Sequence, residues 1–143
     1  FFLFRNIISK FSNRHTHPMK KSHHQNSSIC IGWTSFENKG DAERCASKLI
    51  SSELAFCVQV ESEVTSYYNW ENNVQKSQEF SVRIKHLDAN GPGIKDWLIK
   101  NHPYDIPQWI SIKACDYLEK YLNWAHKNSR ISQNPVELKI SNT

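Results

Sequence analysis

The side chains here best suited to chemistry are the soft donors and nucleophiles, seven His and four Cys. Imidazole and thiolate bind late transition metals, and a Cys beside a His can act as a nucleophile. Four of the histidines, His15, His17, His23 and His24, crowd a polar stretch near the start. That stretch reads as a solvated tail with opportunistic affinity for Cu²⁺, Ni²⁺ or Zn²⁺, because ordering it costs entropy. Cys30, Cys45, Cys57 and Cys115 form no C-x-x-C pair and no zinc-ribbon spacing. Each sits in an apolar or strand-like context, which predicts buried free thiols in a reducing compartment. His102 lies in the kinked run Asn101-His102-Pro103-Tyr104. It is either a metal ligand or, as is commoner beside Pro, a hydrogen-bonding group that fixes the loop. Cys57, inside an apolar strand, reads as a small buried side chain, with a ligand or redox role as the alternative.

Catalysis finds little support. Burial raises a thiol's pKa, so Cys57 with His102 makes a poor nucleophilic pair. There is no P-loop, G-x-S-x-G, H-E-x-x-H or G-x-G-x-x-G. The expectation is therefore a protein that is not an enzyme.

At 143 residues the chain has room for one domain, and 38% hydrophobic residues with five Trp, five Tyr and seven Phe can fill a core. No apolar run is long enough to span a membrane. Residues 1–36 hold Arg5, Lys10, Arg14, Lys20 and Lys21 and no acid, while the rest carries 13 basic and 14 acidic residues. The basic pI of about 8.9 thus comes from the leader. A near-neutral body argues against nucleic-acid partners. Its middle strands also lack the basic, aromatic-studded motifs that stack RNA bases. Residues 1–27 read as a basic, His-containing leader, unstructured or targeting, or as sequence upstream of a start at Met19, the one methionine. The expected location is cytoplasmic, or organellar if this leader is a transit peptide.

The body, expected over residues 28–127, alternates in type. Ile29, Ile31 and Trp33 recur every second residue and predict a strand near 28–35. Ala42, Cys45, Ala46, Leu49 and Ile50 recur at helical spacing and predict a helix over 40–52. Ala55–Glu61 reads as a strand, with Val64–Trp70 as its bent continuation. The turn Glu71-Asn72-Asn73 leads into a partner strand over 74–86. Pro92 opens a second helix, whose apolar stripe is Ile94, Trp97 and Leu98. Trp109, Ile110 and Ile112 make a short strand. Asp116 with Glu119 reads as a capping box opening a last helix with Tyr117, Leu118 and Tyr121 on its apolar side. Residues 128–143 read as a polar tail. The order β-α-β-β-α-β predicts an α+β, ferredoxin-like sandwich with an extra C-terminal helix and both main helices on one face of the sheet. A hairpin running beyond Val64 outreaches one small sheet, so a second chain is expected to cover it.

These residues also form a recognisable series. It consists of Ala55-Phe56-Cys57-Val58 after an amphipathic helix, Ser66-Tyr67-Tyr68-Asn69-Trp70-Glu71 in the hairpin, and Ile84-Lys85. His102-Pro103-Tyr104-Asp105-Ile106-Pro107 follows the second helix, and Tyr117-Leu118 with Trp124 lies near the end. From about Ser28 to Lys127 the series resembles the CutA divalent-ion tolerance family. The resemblance implies a ferredoxin-like homotrimer akin to PII-type signalling proteins, with long hairpins pairing between subunits and a link to divalent metals, copper among them. In bacterial members credited with copper binding, the ligands are a Cys, a His and a Glu. This sequence has Trp33, Asn101 and Gln108 at those places. His102 and Cys57 remain the soft-metal candidates. Tyr68, Trp70 and Glu71 are candidates for a cleft between subunits. So are Lys85, Tyr104, Gln108 and Trp124, with a small anionic ligand as the alternative occupant.

Overall fold

The computed structural model describes residues 27–130, so the expectations for residues 1–26 and 131–143 fall outside the described residues. Strand β1 spans Ile29–Phe36 and helix α1 spans Lys39–Ser51. Asn38 starts α1: its side-chain oxygen accepts from the Gly40 N–H at 2.7 Å and satisfies a donor that the first turn leaves open. Strands β2, Cys57–Trp70, and β3, Asn73–Leu87, form the long hairpin. A short 3₁₀ turn over Asp88–Asn90 leads into α2, Gly91–Asn101, with Pro92 in its first turn. Strand β4 is Ile110–Lys113 and helix α3 is Glu119–Lys127.

The four strands lie in the order β2-β3-β1-β4, all neighbours antiparallel, which is the ferredoxin-like arrangement. Alternation along the strands then sorts the side chains. Phe36, Val82 and Ile84 face one way and pack with Ala42, Cys45 and Leu49 of α1 and Ile94 and Leu98 of α2. Both main helices therefore cover one face. Ile29 and Leu87, of opposite parity, pack with Ala125, Tyr121, Leu122 and Trp124 of α3, so α3 covers one end of the other face. The two predicted pieces of β2 are one strand with an irregularity. Val60 pairs Val82 but Glu63 pairs Phe80, so β2 carries one extra residue there and bends. At the tip, Glu71 and Asn72 take positive φ of 49° and 64°, the backbone of a two-residue hairpin turn.

Two expectations are corrected. Asp116 caps nothing: α3 begins at Glu119 after Leu118, with no side-chain cap bond. Its first backbone bonds run from Tyr121 and Leu122 to the Leu118 carbonyl. Tyr117 and Leu118 thus precede the helix and are exposed, because the contact that seats α3 is made by Tyr121 and Trp124 on Phe56. The cysteines are also not uniformly buried: Cys30 and Cys45 are, Cys57 is half-buried, and Cys115 is exposed between β4 and α3. The chain just past α3 is tied down, since the Arg130 N–H donates to the Glu53 carbonyl at 2.9 Å.

Gly32, in the middle of β1, is required by a close approach. A Cβ there would sit 2.4 Å from Cη2 of Trp109, which lies across the strand. Gly32→Ala is expected to lower stability by about 1–3 kcal/mol, the usual cost of an overpacked core, with fold retained. Urea unfolding followed by Trp fluorescence measures it.

Candidate functional site

The C-terminal end of β1 gathers polar side chains from three parts of the chain. Ser35 Oγ donates to Glu79 Oε1 at 3.2 Å, and the Tyr104 hydroxyl donates to the same oxygen at 2.9 Å. Ser35 Oγ also lies 3.5 Å from Gln108 Oε1. Glu79 is only 9% exposed, and the two hydroxyls supply the hydrogen bonds a buried carboxylate needs. Burial, then the hydrogen bond to Glu79 and the charges of Glu79 and Glu37, push the Tyr104 phenol well above its ordinary value, so it stays a donor.

His102, at the end of α2, anchors this cluster from below. Its ring stacks on Phe36 with centroids 4.2 Å apart and 18° between planes. Nε2–H donates to the Ser35 carbonyl at 3.0 Å, and Nδ1 accepts from the Tyr104 N–H at 3.1 Å. Both ring nitrogens are thus committed in a neutral imidazole. Burial, partly offset by the Ser35 carbonyl and by Asp41 and Glu79, holds its pKa below 6.5. That geometry is the loop-fixing role: His102 seats Tyr104, and Tyr104 holds Glu79.

Cys57 lies elsewhere. It pairs with Lys85, whereas Ser35 pairs with Ser81, four residues along β3 and roughly 13 Å away at strand spacing. Tyr121 packs on Cys57. Burial first, then the charge of and hydrogen bond to Cys57, push its phenol up to about 12. Trp124 packs edge-on to Phe56 at 5.8 Å. Tyr68, Trp70 and Glu71 stand exposed at the hairpin tip, where Tyr68 opposes Gln75 and Trp70 opposes Asn73. Asn73 and Glu79 are six residues apart on β3, roughly 20 Å. One chain therefore brings His102, Tyr104 and Gln108 together. It leaves the tip residues, Lys85, Cys57 and Trp124 outside that cluster.

Sequence reasoning missed Ser35, Glu79, His86 and Ser111. Glu79 reads as one more polar member of an alternating strand, like Ser81 or Arg83, and nothing in its neighbours marks it. An opening of about 200 Å³ between α1 and the end of α2 is lined by Phe36, Arg44, Cys45, Lys48, Trp97 and Asn101 among others. Arg44 is paired with Asp41 there, and burial pushes the Cys45 thiol up to about 12, which leaves it inert. The positions of the bacterial copper ligands do not fit that metal. Trp33, Asn101 and Gln108 offer no thiolate, imidazole or carboxylate, and Asn101 Nδ2 is held by the Trp97 carbonyl at 2.8 Å. Among the described residues no three His, Cys, Asp or Glu side chains converge on one point. None of the described helices is long and apolar enough to cross a membrane.

Comparison with known proteins gives a consistent result. The family model described as CutA1 divalent ion tolerance protein matches residues 30–128. A rice protein named Protein CutA 1, chloroplastic, is 31% identical over 71% of this chain. Protein CutA, chloroplastic, of Arabidopsis thaliana is 27% identical over 87%. The chain spans 58% of the length of the first and 69% of the second. Among solved structures, that of CutA1 from Oryza sativa superposes with a TM-score of 0.71 at 30% identity, covering 73% of this chain and 96% of that one. CutA1 from the psychrotrophic bacterium Shewanella sp. SIB1 gives 0.69 at 32%, covering 71% and 95%.

His102 makes stability depend on pH with a definite sign. The unfolded chain takes up a proton near pH 6.5, whereas the folded one does so only at lower pH. Stability is therefore full above 6.5 and falls as pH drops through the window beneath it. Urea midpoints between pH 5 and 8 should show this loss. His102→Gln, which cannot titrate, should lower stability at pH 8 and flatten the slope.

Proposed function

The chain belongs to the CutA1 divalent ion tolerance family, and we propose that it works as a homotrimer that binds cations and catalyses no reaction. The observation that carries this reading is an uncovered apolar face. Trp33 pairs Ile110 and Ile31 pairs Ile112, so these four side chains form a stripe on the side of the sheet away from α1 and α2. Helix α3 covers only the Ile29–Leu87 end of that side. Ile110 and Ile112 remain 57% and 54% exposed beside the free edge of β4. At the other edge, the tip of the hairpin shows Tyr67, Trp70 and Val74 to solvent, with Lys76 over the Tyr67 ring. Apolar stripes next to unpaired strand edges associate, and a closed ring of three copies uses both edges of every sheet.

In that assembly the cluster at Glu79 supports a divalent-cation role. A carboxylate oxygen, an amide oxygen and two hydroxyls are hard donors of the kind Mg²⁺, Ca²⁺ and Mn²⁺ take. Copper at His102 would cost one of the two hydrogen bonds that hold its ring, to the Ser35 carbonyl or from the Tyr104 N–H, so the softer metal is less well served there. A small anionic ligand is the second reading. It is favoured by Lys85, which is half-buried on the open face and forms no ion pair among the described residues, while its neighbour Arg83 is paired with Glu61. An organellar destination is likewise proposed rather than a cytoplasmic one, supported by the acid-free leader and the chloroplastic names of the two plant relatives.

Native mass spectrometry of the full chain tests the assembly. The expected species is a trimer, and Ile110→Lys with Ile112→Lys should convert it to monomers; a wild-type monomer would overturn the reading. Isothermal titration with Mn²⁺ tests the ligand: Glu79→Gln should lower affinity about tenfold or more while the trimer persists.

A further inference from the structure

The softest donors that the fold brings together lie at the opposite end of β1 from Glu79 and on its other face. Cys30 and His86 are direct partners across β1 and β3, which places their Cβ atoms roughly 5 Å apart on one side of the sheet. Ser111 of the neighbouring β4 joins them. Its hydroxyl lies 2.8 Å from His86 Nε2 and hydrogen-bonds the Cys30 thiol. His86 Nδ1–H is fixed by the Leu87 carbonyl at 2.7 Å, so the lone pair is on Nε2 and points to Ser111. Protein ligands of the imidazole type are oriented in this way, with one ring N–H tied to a carbonyl and the other nitrogen free to bind. His86 is 1% exposed and Cys30 8%, whereas Ser111 is exposed and forms the way in. Trp109 lies against the imidazole with centroids 5.7 Å apart, and Gly91 at the start of α2 closes the opposite side, its Cβ position 3.4 Å from Cε1 of His86. Next to Gly91, the fully buried Asn90 finds no partner for either amide atom among the described residues.

We propose that Cys30 and His86 form a two-coordinate site for copper(I), with the Ser111 hydroxyl as the gate that metal displaces. One thiolate sulfur and one imidazole nitrogen are the donors copper(I) accepts in a linear pair. Two strong donors without a third are too few for Zn²⁺, which takes four. On binding, the Cys30 S–H bond breaks and its proton leaves through the Ser111 hydroxyl to solvent. Cu–S and Cu–N bonds form, and the hydroxyl turns outward. No electron is transferred, because the metal arrives as copper(I). The proposal rests on the cation-binding half of the reading above and is independent of Glu79 and of the trimer.

The experiment loads the full chain anaerobically with tetrakis(acetonitrile)copper(I) against bathocuproine disulfonate, and reads oligomeric state on the same samples by native mass spectrometry. The leader histidines contribute equally to every variant, so the differences are read at Cys30. The wild type is expected to hold one copper per chain, with one sulfur and one nitrogen neighbour in its X-ray absorption spectrum. Cys30→Ser and His86→Gln should each weaken binding at least tenfold. Ser111→Ala removes the gate and should bind as tightly or tighter, which a variant that merely failed to fold would not do. Wild-type binding no tighter than Cys30→Ser, or a copper lost in Cys115→Ser instead, overturns the proposal. A monomer that still binds copper at Cys30 would refute the assembly and leave this site standing.

Discussion

Strand β1 is hydrogen-bonded on both sides, to β3 along its whole length and to β4 over Cys30–Trp33, and its register fixes what every other element can reach. A slip of one residue against β3 would turn Phe36 away from Phe80, and would present Ser35 and Trp33 to the helices instead. Gly32 guards that register physically. It is the point where Trp109 crosses the strand, and a Cβ at this position would collide with the indole. The helices add a second lock, since Leu49, Ile94 and Leu98 need the row Val82–Ile84 beneath them.

The same register separates the polar chemistry into two places. Ser35 and Glu79 emerge on the open face at one end. There the His102 loop is stacked on Phe36 and delivers Tyr104 and Gln108. Cys30, His86 and Ser111 emerge on the helix face at the other end. In each place an imidazole is kept neutral by burial, against the opposing pull of a carbonyl hydrogen bond and nearby carboxylates, and both of its nitrogens are hydrogen-bonded. The difference lies in what the acceptor nitrogen faces. For His102 it is a backbone N–H that cannot move without undoing the loop. For His86 it is a hydroxyl that can rotate.

The open face carries the remaining apolar surface. Burying Ile110 and Ile112 in an assembly would each contribute about 1–2 kcal/mol of transfer free energy. The surface ion pairs, such as Lys39 with Glu43 at 3.7 Å and Lys113 with Asp88 at 3.5 Å, are mostly solvated and add little. The proposed association would therefore be an apolar matter, with the hairpin and the β4 edge setting geometry rather than strength.

Period-two alternation in Ile29–Trp33 and Phe80–Ile84, helical spacing in Ala42–Leu49, and the Asn-containing turn at Glu71–Asn72 determine the strands, the main helices and the two faces by local pattern alone. A residue's face follows from local backbone geometry, so it is legible locally. The start of α3 was not legible, because Asp116 and Glu119 satisfy the capping pattern while Tyr121 and Trp124 decide the helix by packing on Phe56. Nor were the two clusters. Ser35 meets Glu79 across 44 residues, and Tyr104 meets Glu79 and His86 meets Ser111 across 25. Alternation says that such residues share a face; only the pairing of distant strands decides which of them touch.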